Sequence, residues 1–417
     1  MTTTTSANLY DVLSERGMLA QSTDENIRRR LESPQVAYNG FDPTADSLHV
    51  GHLLPVMGLA HLQRCGHKPI AVIGGATAMV GDPSGKTEAR QMLTREQIDA
   101  NGQAIGNQIA RLLSFDDSPT SAVMLNNADW LAGKGWIEML REVGVHFSVN
   151  RMLSMDSVKG RLESGGGITY LEFSYMIMQA YDFLHLHRTH GCTLQLGGQD
   201  QWGNIVMGIE LGRRLETADL AGLTLPLVTR ADGGKFGKTE AGTVWLDPKR
   251  TSPYDFYQFF RNTADKDVGK YLGYFTFMPM DEVRELASRE GPALNASKEV
   301  LAYEVTKLIH GEAEAAKARD SAKQAFGAGD VTGDAIPHAE LPASELNEGV
   351  GLLTLMVRVG LAKSNGEARR LVTGGGVRLH DDKVDDPTRT VTADDVRDGY
   401  VLLRVGKKRM FRFDVSG

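Results

Sequence analysis

Apolar positions along the first two hundred residues alternate between two periods. Val36–Phe41 is a short apolar run that predicts a strand, and a Pro/Asp/Ser turn closes it. His49–Cys65 then carries apolar residues at helical spacing, with Gly66 placed as its C-cap. Pro69–Ile73 and Ala122–Leu125 read as the second and third strands. Thr193–Leu196 reads as the fourth and feeds a helical pattern over Gln201–Arg214. Strands alternating with helices predict an α/β fold with a parallel sheet. A mostly helical stretch between Ser118 and His190 interrupts the alternation and reads as an insertion between two halves of that sheet.

Beyond Thr251 the pattern is helical and amphipathic to Phe326, most clearly over Ser297–Lys307. Residues 327–349 are rich in Gly, Pro, Ala and acidic side chains, the composition of a linker. The pattern then restarts. Ser364 and Glu367 form a capping box ahead of a short helix carrying Arg369 and Arg370, and Gly374–Gly376 ends it. Val377–Leu379 reads as a strand, Asp381–Lys383 as a turn, and Val401–Val405 with Met410–Phe413 as a hairpin closed by Gly406-Lys407-Lys408. The expected domains are 1–230 with the insertion at 118–190, a loop and helical domain at 231–326, the linker at 327–349, and a small α+β module at 350–417.

The chain has 417 residues, 41% hydrophobic and 24% charged. That excludes collagen-like, coiled-coil and wholly disordered readings. No apolar run reaches the roughly 18 residues of a membrane span. The start, MTTTTSANLYDV, lacks the basic and apolar regions of a secretory leader. Cys65 and Cys192 are the two cysteines, and neither belongs to a CxxC pair; a reducing cytoplasm is expected. The net charge of −7 conceals an asymmetry. Residues 350–417 hold 13 basic and 9 acidic side chains, a net of +4, so the remainder carries −11. A basic tail on an acidic body points to a polyanion partner for the tail.

Four segments carry candidate chemistry. Pro43–His52 (PTADSLHVGH) lies between a strand and a helix, where an open α/β sheet binds ligands. There His49 and His52 could meet phosphate oxygens at the helix start, while Gly51 would admit a nucleotide close to the backbone. The other reading is a pair of surface histidines. Lys235-Phe236-Gly237-Lys238-Thr239, behind a glycine-rich turn, suits capture of a polyphosphate, or is a solvated basic turn. Gly81–Thr87 resembles a Walker A loop but has three residues where that motif needs four, and Asp82 and Pro83 would spoil its ring of N–H donors, so a P-loop NTPase is rejected. Tyr175, Gln179 and Asp182 share one face of an otherwise apolar helix. That stripe faces either solvent or a polar ligand.

The HVGH and KFGKT segments, in this order, resemble the two signatures of class I aminoacyl-tRNA synthetases. Tyr38–Leu48, Gly81–Arg90, the Tyr175/Gln179/Asp182 helix and Gly197–Trp202 are similar to the bacterial tyrosyl-tRNA synthetases, and the tail is similar to an S4-type RNA-binding domain. The resemblance implies a Rossmann-type catalytic domain, a homodimer joined through the insertion, and ATP, L-tyrosine and tRNA(Tyr) as partners, with Mg²⁺ carried by ATP and no dedicated metal cage. It implies that Tyr38 and Asp182 meet the substrate phenol. It assigns Tyr175, Gln179, Asp82 and Gln201 to tyrosine, and Gly40, Asp42, Thr44, His49, Gly51, His52 and Asp200 to ATP, with Asp42 also near the ammonium group. Lys86, Arg90, Lys235, Lys238 and Thr239 fall around pyrophosphate. Arg369, Arg370, Lys407, Lys408 and Arg409 would meet tRNA. Asn39 and Pro55 depart from some relatives and would adjust ATP contacts. The rivals are a tryptophanyl-type synthetase and a synthetase-like RNA-binding protein without catalysis.

Overall fold

The computed structural model describes residues 7–84, 93–163, 165, 167–231, 233–234, 236–239, 242–326, 337–406 and 409–416. Lys86, Arg90, Lys235, Lys407 and Lys408 lie outside them, as does the side chain of Lys238. The chain divides into two compact units, residues 1–251 with 255–312, and residues 252–254 with 313–417.

The first unit is built on a six-stranded sheet. Its strands are β1 (Gln21–Ser22), β2 (Val36–Phe41), β3 (Lys68–Ile73), β4 (Val123–Asn126), β5 (Leu194–Gly198) and β6 (Ala221–Leu225), in the spatial order β1-β6-β5-β2-β3-β4. All pairings are parallel except β1 with β6. The last five residues of β3 and all of β6 are buried, so these strands read as unbroken apolar runs rather than alternating ones. One face is covered by the helix Leu53–Arg64, whose Gly58 would bring a Cβ within 2.9 Å of Leu225 Cδ1. The other is covered by the helix Tyr170–His190, whose Phe183 and Leu186 pack with Tyr38, Ile70 and Val72. The helix Trp202–Glu216 packs against Tyr170–His190 and leads from β5 to β6.

The chain runs from β2 outward to β3 and β4, then returns to place β5 on the other side of β2. The strand order reverses at the β2/β5 boundary, which is where an open α/β sheet presents a crevice at its carboxyl ends. Strand β4 ends at Asn126, so the helical insertion begins after it rather than at Ser118.

The helices of residues 255–312 group with the sheet instead of forming a separate helical domain. Phe236 accounts for part of this. Its ring packs among Phe259, Phe260, Tyr271 and Phe275, with centroids at 5.3, 6.2, 4.8 and 5.4 Å. Arg16 adds hydrogen bonds to the carbonyls of Gly273, Thr276 and Met278, closing the end of the helix Val268–Phe275.

The second unit holds a five-stranded sheet. Its strands are β9 (His338–Pro342), β11 (Val377–Leu379), β12 (Asp382–Val384), β14 (Tyr400–Val405) and β15 (Arg409–Ser416), ordered β12-β11-β14-β15-β9. In the first unit β7 (Lys238–Thr239) and β8 (Gly242–Thr243) form a hairpin, and in the second β10 (Val350–Gly351) and β13 (Thr390–Val391) form a two-stranded pair. Residues 338–349 are therefore not linker. Strand β9 lies parallel on β15, and Leu341 and Leu346 enter the same core as Leu352, Val401 and Phe413. The expected turn at Asp381–Lys383 also yields to structure, because Asp382–Val384 pairs with β11. The capping box is half formed: Ser364 accepts from the Glu367 N–H, while the Glu367 carboxylate takes the N–H of Lys363 rather than that of Ser364. Among the described residues no helix is long and apolar enough to cross a membrane.

Candidate active site

A cavity of about 440 Å³ opens at the carboxyl ends of β2 and β5. Tyr38, Gly40, Asp42 and Thr44 reach it from β2 and the turn that follows, and His49, Gly51, His52 and Pro55 from the next helix start. Asp82, Tyr175, Gln179, Asp182, Asp200 and Gln201, also read from the sequence, line it as well. The stripe on the helix Tyr170–His190 thus faces a cavity, with Tyr175 and Asp182 buried. Thr239 is exposed on the short strand β7 and is not part of the lining.

Asp182 sits at the closed end. Its carboxylate accepts from Asn127 Nδ2 at 3.0 Å and from Trp130 Nε1 at 2.7 Å. Burial pushes its pKa up to about 7, against the two hydrogen bonds, and the charge of Asp42 adds to the rise. The Tyr38 hydroxyl is buried and has no hydrogen-bond partner among the described residues. Its pKa lies well above the ordinary value, raised by burial and then by Asp182. A buried hydroxyl without a partner is costly, which marks a place prepared for a polar group.

The other polar groups form two chains. Asn127 also donates to Thr77 Oγ1 at 3.0 Å, Thr77 donates to Asp42 Oδ1 at 2.7 Å, and Tyr175 donates to Asp42 Oδ2 at 2.9 Å. Asn204 donates to both Gln179 Oε1 and Gln201 Oε1, at 2.9 and 3.0 Å. Gln201 Nε2 in turn donates to Asp82 Oδ2 at 2.7 Å. Gly74 is required where these meet, because a Cβ there would stand 2.0 Å from Asp42 Oδ1 and 2.4 Å from Thr77 Oγ1.

At the open end His49 caps the turn Val50–His52. Its Nδ1 accepts from the Gly51 N–H at 3.0 Å, and His52 Nδ1 accepts from the His49 N–H at 3.3 Å. An accepting Nδ1 leaves the ring proton of each neutral imidazole on Nε2. The two rings stack at 3.9 Å. The loop behind the second basic motif is tied to the same turn. Val50 N–H donates to the Val244 carbonyl at 3.1 Å, and Leu246 N–H to that of Leu48 at 2.8 Å. Gly237, at φ +79°, would bring a Cβ within 2.6 Å of Val50 Cγ2.

Asn127, Trp130, Thr77, Asn204 and Trp245 were not singled out by the sequence. Asn127 carried a usable signal, as a polar side chain just past the carboxyl end of the parallel strand β4. The others belong to no spacing pattern.

Residues 30–327 match the family of tRNA synthetases class I (W and Y), and residues 333–413 match the tyrosine–tRNA ligase SYY-like C-terminal domain. The chain belongs to the class I tRNA synthetases. It is 49% identical over 412 residues to the tyrosine–tRNA ligase of Clostridium botulinum, covering 98% of this chain and 100% of that relative. The tyrosine–tRNA ligase of Clostridium kluyveri matches with the same identity and coverage. Among solved structures, a C-terminally truncated mitochondrial tyrosyl-tRNA synthetase from Aspergillus nidulans is similar at 31% identity and a TM-score of 0.68, over 76% of this chain and 94% of that one. A tryptophanyl-tRNA synthetase from Encephalitozoon cuniculi, at 14% identity and a TM-score of 0.54 over 74% of this chain and 87% of that one, shares the fold. As a class I synthetase the chain is an ATP-dependent enzyme, and the residues that line the cavity lie within the first matched segment.

Proposed function

We propose that this cavity holds L-tyrosine and ATP side by side, the phenol at the closed end and the phosphates at the histidine turn. The chain acts as a tyrosine–tRNA ligase: it activates L-tyrosine with ATP, then transfers the tyrosyl group to the 3′ end of tRNA(Tyr). The observation that carries the placement is the Tyr38–Asp182 pair. A phenol both donates and accepts, whereas an indole only donates. Asp182, held by Asn127 and Trp130, accepts the phenol proton, and the partnerless Tyr38 hydroxyl donates to the phenol oxygen.

The ammonium group falls among Tyr175, Gln179 and Asp82, and Asp42 and Asp200 flank the ribose side. In the first step a tyrosine carboxylate oxygen attacks the α-phosphate in line and pyrophosphate leaves. His49 and His52 present Nε2–H donors to the phosphate oxygens, and no protein nucleophile is needed; positioning and charge stabilisation lower the barrier. Mg²⁺ arrives with ATP as part of that substrate. Lys86, Arg90, Lys235, Lys238 and Thr239 would add their charge and hydroxyl to pyrophosphate, as the family's motifs imply. In the second step a terminal ribose hydroxyl of tRNA attacks the adenylate carbonyl and AMP departs.

The exposed Arg369 and Arg370 on the helix Asn365–Thr373, with Arg409 and the adjoining lysines 407 and 408, support tRNA binding by the basic tail. The insertion supports a homodimer. Trp136, Ile137, Val145, Val149 and Tyr170 are each more than half exposed there, a clustering of large apolar side chains that fits a self-interface. Sedimentation at micromolar concentration tests the dimer. Pyrophosphate exchange tests the chemistry: tyrosine supports exchange and tryptophan does not, and exchange with tryptophan alone would overturn the placement.

A further inference from the structure

Arg250 lies outside both signatures, and the reaction as derived does not use it. Its guanidinium lies over the indole of Trp245, with Cζ 3.5 Å from the ring centroid. Its Nη1 donates to Asp46 Oδ1 at 2.6 Å, in the turn that leads to the first signature. Trp245 lines the cavity and meets the His49 ring edge to face, at 6.0 Å and 66°. His49 stacks in turn on His52. Four side chains therefore form one continuous stack running from Arg250 to His52.

The backbone beneath this stack is equally joined. His49 and Trp245 form an antiparallel bridge, flanked by the hydrogen bonds of Val50 and Leu246. The N–H of Asp247 donates to Ser47 Oγ at 3.1 Å, and that of Trp245 to Thr251 Oγ1 at 3.0 Å. Residues 245–251 are thus laid along residues 46–49 as a clip. The Gly51 N–H donates to Nδ1 of the His49 imidazole and fixes its tautomer. Trp245 bounds the ring on one side and His52 on the other.

We infer that Arg250 and Trp245 are positioning residues for His49, holding its Nε2–H in the orientation that adenylate formation needs. The inference rests on the reading of His49 as a phosphate donor. Arg250 acts through the face of the indole rather than by meeting phosphate itself, and a planar guanidinium suits this better than a compact ammonium. Its effect belongs to the transition state, since a small misplacement of a donor lowers the rate of a positioned reaction by about 10- to 100-fold without weakening distant contacts.

The test is single-turnover adenylate formation, with the tyrosine dissociation constant measured in parallel, for the full chain and for Arg250→Ala, Arg250→Lys, His49→Ala and the double variant Arg250→Ala/His49→Ala. The expected result is a rate about tenfold lower for Arg250→Ala at unchanged tyrosine affinity and melting temperature. Arg250→Lys, which keeps the charge and the reach to Asp46 but not the planar stack, should be nearly as slow. In the His49→Ala background Arg250→Ala should cost little more, because the group it positions is gone. Rescue by lysine, or a full tenfold loss in the His49→Ala background, would assign Arg250 to direct phosphate contact and overturn the inference. A parental rate in Arg250→Ala would overturn it as well. If His49→Ala itself reacts at the parental rate, it is the reading of the site that fails, a separate and recognisable outcome.

Discussion

The indole nitrogen of Trp130 donates to Oδ1 of Asp182 at 2.7 Å, while Asn127 holds Oδ2 from the other side. Both protein donors point at a carboxylate whose pKa burial has nonetheless carried to about 7. Asp182 is therefore poised to change charge near neutral pH, and what it accepts beyond these two bonds depends on that charge.

Tyrosine affinity should follow this titration. The ionised carboxylate accepts a phenol proton, and the protonated acid competes with its own. Below pH 7 the tyrosine dissociation constant should rise, approaching tenfold per pH unit, and above pH 8 it should level off. Titration by tryptophan fluorescence between pH 5.5 and 8.5 measures it. A constant value across that range would mean that Asp182 does not accept from the ligand.

Stability of the free protein should show the reverse dependence. A carboxyl group whose folded pKa is raised from 3.8 holds its proton more tightly in the folded than in the unfolded chain. Its contribution is therefore lost as pH rises from about 4 through 7. Asp182→Asn should remove that decline, so the urea midpoint of the variant falls less between pH 5 and pH 8 than that of the parent. Parallel curves for the two proteins would contradict the assigned shift.

Asn127→Ala should affect the same titration from another direction. It removes a donor to Asp182 and to Thr77, and leaves the Ala76 N–H, which donates to Asn127 Oδ1 at 2.8 Å, without its partner. A loss of about 1–3 kcal/mol in stability is expected from the stranded buried groups. The inflection in tyrosine affinity should also move to higher pH, since one bond that favours the charged form is gone. Chemical denaturation with the same fluorescence titration reads both effects.

Truncation after Phe326 should leave tyrosine activation intact and weaken tRNA binding, with a shallower dependence on salt. A cut at Gly349 should behave worse, because it keeps β9 and removes β15, the strand on which β9 is laid. An unpaired strand invites association, so the longer fragment should aggregate more readily than the shorter one. Equal solubility of the two fragments, measured by light scattering, would argue against that role for β9.

Much of this was legible in the chain. Strands β2, β3 and β5 are legible because interior strands of a parallel sheet are mostly buried and read as short apolar runs, and the half-buried edge strand β4 still carries the run Val123–Leu125. The Tyr175/Gln179/Asp182 stripe could be recognised because three polar groups on an apolar helix require a polar destination. Strand β6, AGLTL, gives a weak signal because alanine, glycine and threonine leave only Leu223 and Leu225 as strongly apolar positions. Strand β9, HAELP, reads as linker because Leu341 alone among its residues is buried, so its pairing with β15 leaves little trace in hydrophobicity. Trp130 and Thr77 were invisible for a different reason. Each is one polar or aromatic residue in an ordinary segment, and its function arises only when folding brings it to Asp182 or Asp42.

The placement of the substrate phenol is tested most directly by kcat/KM for tyrosine and for phenylalanine in pyrophosphate exchange, comparing the parent with Asp182→Ala. The parent should strongly favour tyrosine, since phenylalanine would leave the buried Tyr38 hydroxyl without a partner and Asp182 without a phenol donor beyond Asn127 and Trp130. The variant should lose activity toward tyrosine and with it most of the discrimination. A variant that still activates tyrosine as the parent does, with the preference intact, would contradict the assignment of Asp182 to the phenol.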